Sequence, residues 1–140
     1  MAPPRAGRKL AAVTSSSPPL EIALVDDDLS VRRALSRLLR AEGFGVRVFA
    51  TAQELLDGEL GPLVCCLVAD VHLGAGLSGF EAAERLLAGG RALPLIFITA
   101  HDDPASRERA RRLGAKAFLR KPFEASTLMD VVRAVVPEAV

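Results

Sequence analysis

The sequence has 140 residues, half of them hydrophobic and a quarter charged, with a formal net charge of +1 at pH 7. This size and composition predict a globular domain with a substantial core and exclude a chain that is disordered throughout. The low net charge, the absence of Trp and Tyr, and the lack of any apolar stretch of ~18 residues argue against direct nucleic-acid binding and against a membrane span, so we expect neither partner.

Residues 1–19 differ in composition from the rest of the chain. They are rich in Pro and Ser, and they contain three basic residues and no acidic one. The apolar segment at residues 10–13 is too short for the ~7–15-residue core of a signal peptide. We predict a disordered tail over residues 1–19, with a docking or targeting role as the alternative, and a folded domain over residues 20–140.

The first strand-like run, "IALVD", ends in acidic residues and leads into a helical pattern. In residues 29–41 the apolar side chains recur at helical spacing, with arginines on the opposite face. Asp28 or Ser30 could cap the start of this helix, and Gly43 its end. The next run, "FGVRVFA", alternates as a strand does, and residues 51–60 offer a short apolar helix face. These segments predict two successive strand–helix units.

The second half of the sequence continues this alternation. "LVCCLVAD" is a continuously apolar strand that ends on Asp70. A glycine-rich loop follows, and then a helix whose apolar face includes Phe80 and Leu87. "PLIFITA" and "AKAFLR" are the last two strands, and helices are predicted after them at residues 104–113 and 124–136.

Five strand–helix units in succession predict an α/β fold. Strands that are apolar throughout are typical of a parallel sheet that helices cover on both faces. Five units are too few for an eight-stranded barrel, which favours an open, doubly wound sheet. We expect no second domain after the last helix.

Two adjacent cysteines lie in the third strand. Neighbouring side chains of a strand point to opposite faces, so Cys65 and Cys66 cannot easily form a disulfide. We interpret both as small buried hydrophobic residues of a protein in a reducing compartment.

Polar residues stand at the carboxyl ends of these strands, where open α/β sheets bind their ligands. Asp26 and Asp27 follow the first strand, and Asp70 ends the third. Thr99 ends the fourth strand, and Lys121 follows the fifth. Clustered carboxylates need a cation, and oxygen ligands favour Mg²⁺ or Mn²⁺. This set suits phosphoryl transfer, in which a carboxylate can itself accept the phosphoryl group.

The motifs "VDDD", "VAD", "FITA" and "RKPF", in this order on these elements, resemble those of the receiver domain of two-component response regulators. The resemblance covers about residues 20–137. It implies a flavodoxin-like (βα)5 fold, a doubly wound parallel five-stranded sheet in the order 2-1-3-4-5. It also implies a single-domain switch of the chemotaxis-regulator type, located in the cytoplasm, that carries out phosphorylation and dephosphorylation of itself without being an enzyme.

The resemblance implies a role in phosphoryl transfer for three residues. Asp70 would accept the phosphoryl group from a phosphohistidine of a sensor histidine kinase. Thr99 would bind that group through its hydroxyl, and Lys121 would pair with its charge.

The resemblance also implies a metal site for Mg²⁺ or Mn²⁺. Asp27 would bind the ion directly and Asp26 mainly through water. Asp70 and the backbone carbonyl of His72 would complete the protein ligands.

The resemblance also implies that phosphorylation is signalled through two switch residues, Thr99 and Phe118. Phe118 lies where the family has a rotating aromatic switch. Their movement would change the face made by the fourth helix, the fifth strand and the fifth helix. That face would bind a downstream effector or a phosphotransfer protein, or form a symmetric homodimer. Its charged residues are Arg107, Arg111, Arg112, Lys116, Arg120, Glu124 and Asp130.

The loop after Asp70 departs from the family's common pattern. Many receivers have Pro four residues after the acceptor, followed by a short Gly-x-Ser-Gly turn. Here that position is Gly74, and the segment "GAGLSG" is one residue longer. We expect the geometry on the metal side of the site to differ most at this loop.

Two other functions remain as alternatives. The first is a Mg²⁺-dependent phosphatase that forms its own aspartyl phosphate on a small substrate, using acidic residues of "DDD". The second is a pseudo-receiver that binds partners without being phosphorylated. The intact acidic set argues against the second alternative.

Overall fold

The computed structural model describes residues 18–137, so the predicted tail at residues 1–19 lies almost wholly outside the described range. Strand and helix alternate five times, as predicted. The strands are β1 (Glu21–Val25), β2 (Gly45–Phe49), β3 (Val64–Asp70), β4 (Leu95–Thr99) and β5 (Ala117–Arg120). The helices are α1 (Leu29–Ala41), α2 (Ala52–Asp57), α3 (Gly79–Ala88), α4 (Pro104–Arg112) and α5 (Ala125–Val135).

The strands form one parallel sheet in the order β2-β1-β3-β4-β5. The prediction of a flavodoxin-like, doubly wound sheet is confirmed. The strand order changes direction between β1 and β3, and a crevice at such a point is the usual ligand site of this architecture. Among the described helices, none has the length and apolar character needed to cross a bilayer.

The core has two halves, one on each face of the sheet. Successive residues of β4 point to opposite faces, so Phe97 packs under α2, α3 and α4 while Ile96 and Ile98 pack under α1 and α5. Leu55 and Leu128 are fully buried helix residues on these two sides. Burial of both sheet faces explains why β3 and β4 are apolar along their whole length.

Side-chain caps position the helices that begin beside the carboxyl edge of the sheet. Asp28, rather than Ser30, caps α1, because its Oδ1 accepts the amide of Ser30 at 2.8 Å. Ser78 and Glu81 form a reciprocal capping box at the start of α3. This cap fixes the helix that follows the glycine-rich loop.

Two details of the predicted helices were wrong. The helix predicted at residues 51–60 is limited to Ala52–Asp57, because Gly58 adopts an extended conformation. Leu87 is 52% exposed instead of buried. The buried residues of α3 are Gly79, Phe80, Ala82 and Ala83, all in its first half, whereas Leu87 lies in the last turn of the helix.

Both cysteines are free thiols, and Cys66 is fully buried while Cys65 is half-buried. Burial raises the pKa of Cys66 to about 12, and it also raises the pKa of Cys65. Because the thiolate is the reactive form, we expect iodoacetamide at pH 8 to leave Cys66 unmodified in the native protein and to modify it in urea. Peptide mass spectrometry measures both, and rapid native labelling of Cys66 would contradict the packing described here.

Candidate functional site

The carboxyl edge of the sheet brings together the acidic and basic residues predicted there. Asp26 continues β1, where its amide donates to the carbonyl of Phe49 at 3.2 Å. Asp70 is the last residue of β3. Lys121 follows β5, and its amide donates to the carbonyl of Thr99 at 2.7 Å. Backbone hydrogen bonds of the sheet therefore hold Asp26, Asp70, Thr99 and Lys121 at one edge.

The ammonium of Lys121 bridges two of the carboxylates. Its Nζ donates to Oδ2 of Asp26 at 2.9 Å and to Oδ2 of Asp70 at 3.2 Å. The side chains of Asp26 and Asp70 are 0% and 7% exposed. Carboxylates buried this deeply need a positively charged partner, and the single ammonium of Lys121 serves both of them.

Asp26 and Asp27 are neighbours with different surroundings. Asp26 also accepts the amide of Asp28 at its Oδ1, at 2.9 Å, while its carbonyl accepts Nη1 of Arg32 at 2.9 Å. Asp27 is exposed. One carboxylate oxygen from each of Asp26, Asp27 and Asp70 lies within 4.8 Å of the other two. Asp27 therefore presents its carboxylate to the same space from the solvent side.

The charges of this cluster do not balance. Asp26, Asp27 and Asp70 carry three negative charges when ionised, and Lys121 supplies one positive charge, which leaves −2. Oxygen ligands with this excess charge fit a hard divalent cation such as Mg²⁺. The residues present can therefore hold such an ion.

The pocket shifts the pKa values of Asp70 and Lys121. Burial raises the pKa of Asp70, and the charge of Asp26 adds to that effect while Lys121 opposes it. Burial alone would lower the pKa of Lys121, but its hydrogen bond to Asp26 and the two carboxylate charges outweigh burial, so the pKa is raised. A raised carboxyl pKa means that the folded state holds this proton more tightly than the unfolded chain. Ionised Asp70 therefore lowers the stability of the metal-free protein as the pH rises.

Thr99 and His72 lie beside this cluster. Thr99 is fully buried, and its Oγ1 donates to the carbonyl of His101 and accepts the amide of His101, both at 3.0 Å. The amide of His72 donates to Oδ1 of Asp70 at 3.2 Å. The turns after β3 and β4 thus hold the Asp70 carboxylate and the Thr99 hydroxyl in defined positions.

Phe118 is not part of the acidic pocket. It pairs in register with Phe97 and is half-buried against the core on the side of α2, α3 and α4. The charged residues predicted on the face of α4, β5 and α5 are at the surface, where Arg107 pairs with Asp102 and Arg111 pairs with Glu108. The other exposed residues there are Arg112, Lys116, Arg120, Glu124 and Asp130.

The departure at Gly74 has a structural reason. Gly74 has φ +74°, a left-handed conformation that Pro, fixed near −65°, cannot adopt. A Cβ atom at this position would lie 3.6 Å from Oδ2 of Asp27. The longer loop therefore passes directly over the exposed carboxylate of the cluster.

Gly79, the first residue of α3, makes a close backbone contact that the sequence pattern did not indicate. Its amide donates to the carbonyl of Val71 at 2.9 Å. A Cβ atom at residue 79 would overlap the carbonyl oxygen of Asp70 and lie 3.2 Å from Cα of Val71. The glycine-rich loop thus starts just after Asp70, and its last residue, Gly79, contacts the backbone of Asp70 and Val71 again.

Comparison with known proteins agrees with this geometry. The sequence matches the response regulator receiver domain family over residues 22–133. Nodulation protein W of Bradyrhizobium diazoefficiens is 40% identical over 119 residues, which are 85% of this chain and 52% of that protein. The transcriptional regulatory protein FixJ of the same organism is 37% identical over 118 residues, which are 84% of this chain and 57% of FixJ. The structure of the response regulator StyR has a TM-score of 0.76 and 40% identity, covering 84% of this chain and 59% of StyR.

The chain spans about half the length of the curated relatives that it matches. The family match is continuous from β1 to α5, so it includes the three aspartates and Lys121. The strand order agrees with the match. The chain therefore belongs to the response regulator receiver domain family, whose members are phosphoacceptor switches of two-component systems.

Proposed function

We propose that this domain accepts a phosphoryl group on Asp70 from the phosphohistidine of a sensor histidine kinase. The observation that supports this most strongly is the buried pair of Asp26 and Asp70 bridged by Lys121 and left with excess negative charge. A structural ion pair alone would need one carboxylate for one ammonium. The additional carboxylates fit a site that binds a cation and then a phosphoryl group.

The cation proposed for this pocket is Mg²⁺ or Mn²⁺. Asp27 is proposed as a direct ligand because it is exposed, and Asp26 as a ligand mainly through water, as the family resemblance implies. Asp70 and the carbonyl of His72 complete the proposed protein ligands. When bound, the ion supplies charge neutralisation for carboxylate and phosphoryl oxygens.

The transfer step uses groups of this chain in fixed positions. A carboxylate oxygen of Asp70 forms a bond to phosphorus while the bond from phosphorus to the kinase imidazole nitrogen breaks. Lys121 stays close enough to pair with the added charge because it is already held at Asp70. The Thr99 hydroxyl, now donated to the carbonyl of His101, would turn to a phosphoryl oxygen.

The signal would leave through the face made by α4, β5 and α5. Movement of Thr99 would open space beside β4, and Phe118 would turn further inward from its half-buried position. The exposed charges of this face would then bind an effector or a phosphotransfer protein, or pair two copies as a symmetric homodimer. FixJ is named a transcriptional regulatory protein, and here we propose output through protein contacts in the cytoplasm without direct nucleic-acid binding by this domain.

The direct test is incubation with acetyl phosphate and Mg²⁺, followed by intact-protein mass spectrometry. We expect a single phosphoryl group that survives acid and is lost in base, as an acyl phosphate is. Omission of Mg²⁺ should abolish the label. A protein that no donor labels would be a pseudo-receiver, and rapid turnover of an organic phosphate such as p-nitrophenyl phosphate would identify a phosphatase.

Binding of Mg²⁺ should stabilise the folded protein. For a dissociation constant of ~1 mM, about 10 mM Mg²⁺ adds ~1.4 kcal/mol to the free energy of unfolding. Asp27→Asn should lose most of this gain because it removes the exposed carboxylate of the cluster. Asp57→Asn, at an exposed aspartate of α2 outside the cluster, is the matched control and should keep the gain. Urea unfolding followed by circular dichroism measures both, and equal gains in the two variants would contradict the assignment of Asp27.

A further inference from the structure

The two histidines of the chain lie side by side at the edge of the candidate site. His72 follows β3 and His101 follows β4, and no other histidine occurs in the sequence. Their ring centroids are 5.5 Å apart and the ring planes are 80° apart. Both residues are exposed, so both imidazoles can be reached from solvent. The two loops therefore place a pair of nitrogen ligands at one point of the surface.

The spacing of the rings fits joint binding of one metal ion. Two imidazoles that bind a single tetrahedral ion, each through a nitrogen at ~2.0 Å, have ring centroids ~5 Å apart. Within residues 18–137, the hydrogen bonds of His72 and His101 involve their backbone atoms, and the ring nitrogens are free to bind. Because both side chains are exposed, the rings can rotate to direct one nitrogen of each toward the same ion.

The carboxylate of Asp103 interacts with His72 of this pair through its charge. Asp103 caps α4 through the amide of Ser106, which is the main reason that its pKa is lowered, and the charge of His72 lowers it further. Asp103 is thus within electrostatic range of His72. Water can complete the coordination that two imidazoles begin.

We propose that the imidazoles of His72 and His101 form a second cation site beside the aspartate cluster, to which His72 would contribute its backbone carbonyl alone, for a borderline transition metal ion such as Zn²⁺ or Ni²⁺. Imidazole nitrogen suits these ions, whereas Mg²⁺ takes oxygen ligands. The two sites therefore bind different classes of cation. An excess of Mg²⁺ occupies the carboxylates and leaves the imidazoles free.

An ion at the histidine pair would join the two loops that hold the reacting groups. The amide of His72 holds Asp70, and the backbone of His101 holds the hydroxyl of Thr99. With the two rings bound to one ion, Thr99 leaves His101 less readily, and access to Asp70 narrows. This consequence rests on the proposed function, and it slows both the gain and the loss of the phosphoryl group.

The test uses the two imidazoles themselves as the readout. Tag-free protein in about 5 mM Mg²⁺, a concentration chosen to occupy oxygen ligands first, is titrated with Zn²⁺ and followed by proton NMR. We expect the ring signals of His72 and His101 to shift together, on one saturation curve that ends near one Zn²⁺ per chain. His72→Gln and His101→Gln should each weaken binding by about tenfold or more, the range found when metal-site ligands lose their support. Cys65→Ser is the matched control for zinc binding by a thiol and should leave the affinity unchanged.

Three results would overturn the proposed site: ring signals that do not move, ring signals that move on separate curves, or undiminished affinity in both Gln variants. A second measurement addresses the consequence, namely the lifetime of the phosphoryl label with and without Zn²⁺. If Zn²⁺ lengthens the lifetime of the label in the wild type and not in the Gln variants, the proposed joining of the two loops is supported. If the lifetime in the wild type is equal with and without Zn²⁺, the joining of the loops is overturned, but the metal site is not. If the protein cannot be labelled at all, the proposed function fails, but the NMR result still decides the metal site.

Discussion

Replacing Asp70 by Asn should reduce labelling by acetyl phosphate and Mg²⁺ to the background of untreated protein. The amide lacks the anionic oxygen that attacks phosphorus, and it removes one of the three carboxylates that surround the cation. Asp57→Asn is the matched control, since Asp57 is exposed on α2 and accepts a hydrogen bond from Gln53 alone among the described residues. It should be labelled like the wild type.

The stability of the Asp70→Asn variant separates loss of chemistry from loss of folding. The pKa of Asp70 is raised by burial, so its ionised form is unfavourable in the metal-free pocket. We expect the variant to be more stable than the wild type at pH 7 without metal, by about 1 kcal/mol, a common size for a single substitution. The difference should shrink as the pH falls toward the ordinary pKa of Asp, because the wild-type carboxyl then becomes protonated. Urea unfolding at several pH values measures this trend.

Persistent labelling of Asp70→Asn would contradict the proposed acceptor. Peptide mapping would then locate the modified residue. A label on Asp26 would agree with the phosphatase alternative, since that alternative needs a nucleophilic Asp after β1 with a second Asp two residues on, here Asp28. A variant that is unlabelled but also unfolded would be recognised from its urea transition, in which case Asp70→Glu provides a second variant that keeps the charge.

Gly79→Ala should be the most destabilising single-methyl change at this site. The added Cβ would overlap the carbonyl oxygen of Asp70, a backbone atom at the end of a buried strand, so the start of α3 or the end of β3 must shift. We expect a loss of about 3 kcal/mol in the free energy of unfolding, at the upper end of the range for overpacking. Mg²⁺-dependent labelling should fall as well, because Asp70 moves with its backbone.

Gly89→Ala provides a matched control at the other end of the same helix. Gly89 has φ −82°, and the nearest atom to an added Cβ would be the carbonyl oxygen of Arg85 at 3.4 Å. This substitution should change the free energy of unfolding by less than about 0.5 kcal/mol. Similar losses in the two variants would indicate that helix α3 is sensitive to any change, and that the contact of Gly79 with Asp70 is not special.

The fold and the position of the aspartate cluster could be predicted because both follow from regular patterns. Continuous apolar runs indicate buried parallel strands, and the carboxyl ends of such strands meet at one edge. Asp26, Asp70 and Lys121 were each adjacent to the end of a strand, so their assembly required only the topology. The roles assigned to them by family resemblance remain predictions.

Other features of the site have no local pattern. The contact between His72 and His101 joins two loops whose separation depends on how β3 and β4 pair. The hydrogen bond from Arg32 to the carbonyl of Asp26 depends on the direction of one long side chain. Gly79 ends the glycine-rich segment after Asp70, and only the structure shows the close contact that it makes with the backbone of Asp70. Such features depend on tertiary distances, and periodicity carries no information about them.

The sharing of Lys121 between two carboxylates has a consequence for synthesis of the protein on the ribosome. Lys121 lies 95 residues after Asp26 and 51 residues after Asp70. The two buried carboxylates are therefore translated long before the ammonium that balances them, and a domain generally folds as a unit. A nascent chain that has not yet reached residue 121 cannot close this edge of the sheet without leaving like charges unpaired. Completion of the pocket thus coincides with the arrival of the fifth strand, so a partly made chain offers no finished site to a phosphoryl donor.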